Sequence, residues 1–196
     1  MTLNKIRIMA GQWRGRNISF PDADQLRPTG SRIRETLFNW LQPHIIQASC
    51  LDLFAGSGIL SFEALSRGAN KVLAVDALAS VIQQIQTQAD ILKSKALTTL
   101  QENAYELVQR PPAHWQIRYP NRVSPHYDII FIDPPFADAR LSEICEGLAN
   151  NHWLKQNSLI YVEKSKKQNF TAPEAWQLLK DKVAGEVSYQ LYRMQE

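Results

Sequence analysis

From Cys50 onward, apolar positions alternate between two rhythms. Short apolar runs read as strands: CLDLF at 50–54, KVLAVD at 71–76, LTTLQE at 97–102, YDIIFID at 127–133 and SLIYVE at 158–163. Between them stand segments with apolar residues at helical spacing. These are ILSFEALSRG, which stops at Gly68, ALASVIQQIQTQADILK, a short helix around AYELVQ, and LSEICEGLANN. Strand and helix in alternation predict an α/β fold, a mostly parallel sheet with helices on both faces. The tail, AWQLLKDKVAGEVSYQLYRMQ, predicts two strands around a turn at Gly185. They would add an antiparallel C-terminal hairpin at one sheet edge.

The first residues follow another pattern. KIRIMAG and RNISF predict a β-hairpin with its turn near Gln12–Gly15, and residues 21–30 are rich in turn formers. Ser31 is the predicted N-cap of a helix over about 32–42, with Ile33, Leu37, Trp40 and Leu41 near one face. The chain therefore divides into a small N-terminal hairpin and helix appendage, 1–43, and a main domain, 44–196.

Composition narrows the function classes. The 196 residues are 44% hydrophobic and 21% charged, ordinary values for a globular chain. They exclude a disordered chain, a collagen and a disulfide scaffold. No uncharged apolar run approaches the ~18 residues of a membrane span. Lys5, Arg7 and Arg14 interrupt the start, which carries no apolar block of signal-peptide length. A cytoplasmic protein without membrane contact is expected. Cys50 and Cys145 lie far apart, with no CxxC pair and no zinc spacing, so two reduced thiols and no metal are expected. The formal charge of +3 conceals an asymmetry. Residues 1–40 hold seven basic and three acidic residues, while the remainder sums to −1. A cationic arm on a near-neutral body suits a polyanionic partner.

Two strand ends carry the chemistry. After the first strand comes Asp52-Leu53-Phe54-Ala55-Gly56-Ser57-Gly58. Gly56 and Gly58 let the backbone turn sharply and approach a ligand, and the following helix aims its amides at the same spot. Twenty residues after Gly56, Asp76 ends the second strand, where a carboxylate suits a ribose diol. A dinucleotide fingerprint wants a third small residue where Ser61 stands, and it lacks the acid at position 52. D-x-F-x-G-x-G reads instead as a site for S-adenosyl-L-methionine (AdoMet), with Asp52 near the amino-acid portion of the cofactor. A plain strand–turn–helix would need the glycines for packing alone.

Asp133-Pro134-Pro135-Phe136 follows the fourth strand. The prolines hold the chain extended and leave a rim of acceptors. A carboxylate and a proline carbonyl can accept both hydrogens of an exocyclic amine, and the aromatic can stack on the base. The lone pair of such an amine is delocalised into the ring. Holding both N–H groups favours a pyramidal nitrogen aimed at an incoming methyl, so catalysis becomes positioning and charge stabilisation.

For a nucleic acid, the hairpin offers Arg7, Arg14 and Arg16 around Trp13. Residues 110–126 offer a second basic loop, with Arg118, Arg122, Trp115 and Tyr119 and no acid. Lys164, Lys166 and Lys167 form a weaker third patch. The four histidines share no catalytic spacing.

With these motifs in place, the chain resembles the RsmD family of AdoMet-dependent methyltransferases, which act on N2 of a guanine in bacterial 16S rRNA. The match runs through Arg7-Ile8 to Gly15-Arg16, Arg27-Pro28-Thr29, Arg32 to Leu41, Asp52 to Gly58, Glu63 to Ala69, Asp133 to Phe136, Ile160 to Glu163 and Val183 to Gly185. The resemblance implies a Rossmann-like class I methyltransferase sheet of seven strands. It implies that Phe54, Ala55, Gly56, Ser57 and Gly58 hold the methionine part of AdoMet. Asp76, with Ala77 beside it, would bind the ribose, and Asn103 and Ala104 would lie by the adenine. Asp133, Pro134, Pro135 and Phe136 would hold the guanine amino group, Thr29 and Arg32 would close over the cofactor, and Arg34 would join the RNA contacts. The family often shows acid–x–acid after the second strand, whereas Asp76-Ala77-Leu78 lacks the second acid. The implied partner is 16S rRNA, free or within a 30S particle or assembly intermediate, and the implied state a monomer. An adenine-N6 methyltransferase and a non-catalytic RNA-binding assembly module stay open as alternatives.

Overall fold

The computed structural model describes residues 3–21, 30–135 and 139–195. β1 (Leu3–Arg7) and β2 (Asn17–Pro21) form the expected hairpin, followed by α1 (Ser31–Leu41). Then come β3 (Ser49–Asp52), α2 (Ile59–Ser66), β4 (Lys71–Asp76), α3 (Ala79–Ile91), β5 (Leu97–Gln101), α4 (Ala104–Val108), α5 (Pro112–Arg118), β6 (Tyr127–Ile132), α6 (Leu141–Asn150), β7 (Leu154–Ser165), β8 (Trp176–Ala184) and β9 (Val187–Met194). The main sheet has seven strands in the order β5-β4-β3-β6-β7-β9-β8. The first five run parallel, and β9 and β8 pair antiparallel at one edge, as the alternating pattern predicts.

Strand residues that alternate across the sheet feed two apolar layers. One layer takes Cys50, Ala74, Ile129, Phe131 and Tyr161 with Leu37, Phe38 and Leu41 of α1 and Phe62 of α2. The other takes Leu51, Leu73, Ile130 and Val162 with α4 to α6. Ile8 and Ile18 of the hairpin are fully buried in the first layer, so the hairpin and α1 share the core of the main sheet.

The joint between hairpin and sheet is polar as well as apolar. Glu63 of α2 is fully buried and accepts from the backbone amides of Met9 at 2.9 Å and Ala10 at 3.2 Å. It also meets Arg67 at 2.8 Å and Arg34 at 3.5 Å. A buried carboxylate needs this many partners to offset its desolvation.

Two local expectations change. Gly30, not Ser31, is the N-cap of α1, and no side chain caps that end. Residues 110–126 are not an open loop: Pro112 stands in the first turn of α5, and Trp115 is buried against Leu107, whose carbonyl accepts from its indole at 2.8 Å. Among the described residues no helix is long and apolar enough to cross a membrane.

Candidate active site

β3 has β4 on one side and β6 on the other, so the strand order reverses there, and in parallel α/β sheets the carboxyl ends at such a reversal are where ligands bind. Register places the acids. Asp52 pairs with Ala74 on β4 and with Phe131 on β6. Asp76 and Asp133 each stand two positions further on, on the same face and roughly 7 Å beyond Asp52 along their strands. Glu163 continues the row on β7, where Ile132 pairs with Val162. Four neighbouring strands thus set four carboxyls on one face at or near this end of the sheet.

These carboxyls feel one another. Asp52 is 1% exposed. Its pKa is pushed up to about 7, first by burial and then by the charges of Asp133 and Asp76, against the lowering effect of the Ser61 hydroxyl. That hydroxyl donates to Asp52 Oδ2 at 2.7 Å, while Asp52 Oδ1 is buried with no partner. A buried acceptor left open at the carboxyl end of a strand fits a donor brought by a ligand.

The turn after β3 is built as a cradle. Gly56 and Gly58 take left-handed φ values of 51° and 76°, and Gly58 is the N-cap of α2. Gly58 N donates to Ala55 O at 2.7 Å and Ala55 N to Val75 O at 2.9 Å, which binds the turn to β4. Asp76 Oδ2 accepts from Gly56 N at 3.1 Å and Oδ1 from Leu78 N at 3.0 Å. Ser57 is buried, and Phe54 stands edge-on to Tyr105 at 5.8 Å. Asn103 Oδ1 caps α4 by accepting from Tyr105 N at 2.9 Å, with Ala104 buried beside it, and Ala77 is exposed. An orphaned acid, a turn rich in left-handed glycine and a carboxylate twenty residues on are a set of groups that fits a cofactor such as AdoMet. Among the described residues no three His, Cys, Asp or Glu are placed to hold a metal ion.

On the acceptor side Asp133 is half-buried, Pro134 buried and Pro135 exposed. Thr29 and Phe136 lie outside the described residues. Arg32, Arg7, Arg14, Arg16 and Arg122 are exposed. Trp13 is half-buried, with its ring edge-on to Phe62 at 6.5 Å. Arg118 meets Glu102 at 3.2 Å and lies over the Tyr119 ring at 5.1 Å, with its side chain 61% exposed.

Arg34 corrects an expectation. It is 2% exposed, paired with Glu63, and donates from Nη1 to the Arg7 carbonyl at 3.2 Å. Its guanidinium braces the hairpin from inside and is closed to an RNA phosphate. Two residues gain weight that sequence reasoning did not give them. Glu63 gave only the local signal of Arg67 one turn on, because its other partners, Arg34, Met9 and Ala10, lie 29 to 54 positions away. Glu163 did carry one, an acid at a strand end like Asp76 and Asp133.

Comparisons with known proteins agree with this fold. The family model described as Conserved hypothetical protein 95 matches residues 6–193. Ribosomal RNA small subunit methyltransferase D of Haemophilus influenzae (strain ATCC 51907 / DSM 11121 / KW20 / Rd) is 43% identical over 195 residues, covering 96% of this chain and 94% of its own. The protein of the same name from Escherichia coli (strain K12) is 42% identical over 190 residues, covering 96% and 90%. The solved structure named "Putative methyltransferase yhhF from Escherichia coli" superposes with a TM-score of 0.85 at 38% identity, covering 98% of this chain and 99% of that one. The fold is that of the class I methyltransferases.

Proposed function

The chain belongs to the family described as Conserved hypothetical protein 95, that of the ribosomal RNA small subunit methyltransferase D proteins, and on that premise we propose that it methylates the exocyclic N2 of a specific guanine in 16S rRNA. The observation that carries this reading is the shared carboxyl end of the sheet, with the Gly56–Asp76 turn on one side of β3 and Asp133-Pro134 on the other.

AdoMet supplies an electrophilic methyl on a sulfonium sulfur. Phe54 to Gly58, Asp52, Asp76, Ala77, Asn103 and Ala104 would hold it, and Thr29 and Arg32 of the arm would take part in closing the site. The protein's part in the transfer is to position and to take a proton. Asp133 and the Pro134 carbonyl accept the two amine hydrogens, which turns the nitrogen lone pair toward the donor. The carboxylate then receives the proton that the methylated nitrogen sheds. Phe136 and Pro135 flank the base. A base inside a helix cannot reach this depth, so the target is splayed out of its loop. Arg7, Trp13, Arg14, Arg16, Arg118 and Arg122 are the RNA contacts of this reading, and the enzyme works as a monomer in the cytoplasm.

The test is transfer from labelled AdoMet to naked 16S rRNA and to 30S particles, followed by nucleoside analysis. N2-methylguanosine is expected, and Asp133→Ala should abolish it while AdoMet still binds. N6-methyladenosine instead would mean the adenine reaction, and no transfer to either substrate would mean a non-catalytic module.

A further inference from the structure

The hairpin loop takes its shape from a helix far away in sequence. The β1–β2 ladder ends at Arg7↔Asn17 and is closed by Ile8 N donating to Arg16 O and Gly15 N to Ile8 O, both at 2.9 Å. Beyond that closure, residues 9–13 find their partners on the last turn of α2. Met9 N and Ala10 N donate to the two oxygens of buried Glu63 at 2.9 and 3.2 Å. Gln12 N donates to Ser66 O at 2.8 Å, and Trp13 N to Ser66 Oγ at 3.0 Å. The Ser66 hydroxyl in turn donates to Ala10 O at 2.5 Å, so this one buried side chain bridges the loop from Ala10 to Trp13. The fit is close: a Cβ on Gly11 would stand 1.7 Å from Ser66 O.

Phe62, Glu63 and Ser66 share one helix face, and the Trp13 ring rests edge-on against Phe62 at 6.5 Å. Arg14 and Arg16 are exposed just past this seat. The loop's own bonds, Arg14 N to Gly11 O at 3.1 Å and Arg16 N to Trp13 O at 3.0 Å, close single turns. It is α2 that fixes how those turns sit on the sheet. The other end of α2 is Gly58 of the glycine turn, and the helix of 8 residues puts about 12 Å between the two ends.

We propose that the last turn of α2 is a support for RNA recognition, with Glu63 and Ser66 as positioning residues that hold the hairpin loop in the shape presenting Arg14 and Arg16 to rRNA phosphates. The inference rests on the reading of the hairpin as an RNA contact. A phosphate contact from a long side chain requires an ordered backbone beneath it. Where the free protein already holds that backbone, association does not carry the cost of ordering it.

Ser66→Ala removes the bridge and leaves the helix. It is expected to raise the Kd for 16S rRNA by about five- to tenfold in filter binding, with the AdoMet Kd and kcat at saturating RNA unchanged. In an Arg14→Ala/Arg16→Ala background the same change should add almost nothing, because the side chains it positions are gone, whereas a general weakening of the fold would persist there. Amide exchange of the RNA-free protein gives a readout independent of binding. Gln12 and Trp13 should exchange faster in Ser66→Ala, while Gly56 and Gly58 keep their rates. Gly11→Ala, which disturbs the seat from the loop side, should reproduce the loss of rRNA affinity.

The proposal is overturned if Ser66→Ala binds 16S rRNA as the unaltered chain does, if its loss persists in full in the Arg14→Ala/Arg16→Ala background, or if Trp13 exchange does not change. Should Ser66→Ala not fold, Gly11→Ala decides by the same comparison. Unchanged rRNA affinity in Arg14→Ala/Arg16→Ala overturns the reading of the hairpin and this proposal with it. A loss there with none in Ser66→Ala overturns the proposal alone.

Discussion

Gly56 donates its amide hydrogen to Asp76 Oδ2 at 3.1 Å, across twenty residues of chain. The glycine turn after β3 and the carboxylate at the end of β4, the two parts of the proposed cofactor site, are thereby tied together. Asp76 has a second tie, to Leu78 N at 3.0 Å, so both of its oxygens are held before any ligand arrives.

Asp76→Ala should therefore act twice, by removing the ribose acceptor and by freeing the Gly56 turn. Bonds to charged groups contribute about 1.5–3 kcal/mol each. AdoMet affinity should fall by roughly ten- to a hundredfold, measured by calorimetry. An unchanged Kd would remove Asp76 from the cofactor site.

Gly58→Val should fail through the fold of the turn itself. A Cβ at Gly58, where φ is 76°, would stand 3.0 Å from Phe62 Cε2 and 3.1 Å from Ile85 Cγ1. A β-branched residue in the left-handed region costs about 1–3 kcal/mol. A Tm lower by about 5–10 °C is expected by calorimetric scan, together with loss of AdoMet binding. A variant with the original Tm that still binds AdoMet would contradict both roles of this glycine.

Arg14 and Arg16 are exposed on the hairpin that Glu63 clamps. Replacing both with Ala should weaken RNA binding and reduce the slope of log K against log salt by about 1.5, since each phosphate contact contributes roughly 0.7–0.9. Filter binding across a salt series reads this directly, and an unaltered slope takes the hairpin off the RNA surface.

Asp52 predicts a pH dependence of stability. Its folded pKa is pushed up to about 7 from an ordinary value near 3.8. Between those two values the folded protein binds the proton that the unfolded chain has released. Stability from this group is thus present at low pH and is lost as pH rises toward 7. Asp52→Asn should flatten the decline in urea unfolding free energy over that window, with the remaining slope coming from Glu163, which has the same sign. An identical slope in the variant would show that Asp52 ionises normally.

Much of this architecture follows from local pattern. Periods of two and 3.6 residues along the chain dictate which segments become β3 to β9 and most helices, because side-chain direction in each element depends on near neighbours alone. The glycine turn after Asp52 and the proline pair after Asp133 are likewise local, set by backbone torsions at single residues. Alternation then puts both motifs beyond the carboxyl ends of a parallel sheet, where a crevice forms at the reversal of strand order.

Other features depend on which distant segments meet. Arg34 reads as one more cation of a basic arm, yet it is buried because Glu63, 29 positions away, is folded against it. Residues 110–126 read as an open basic loop, yet Trp115 finds an apolar seat under Leu107 and pulls α5 onto the sheet. Glu163 becomes Asp133's neighbour only through the register of β6 on β7. Charge pairing and desolvation act through space, over a few ångströms, and separation along the chain carries no information about that distance until the core has packed.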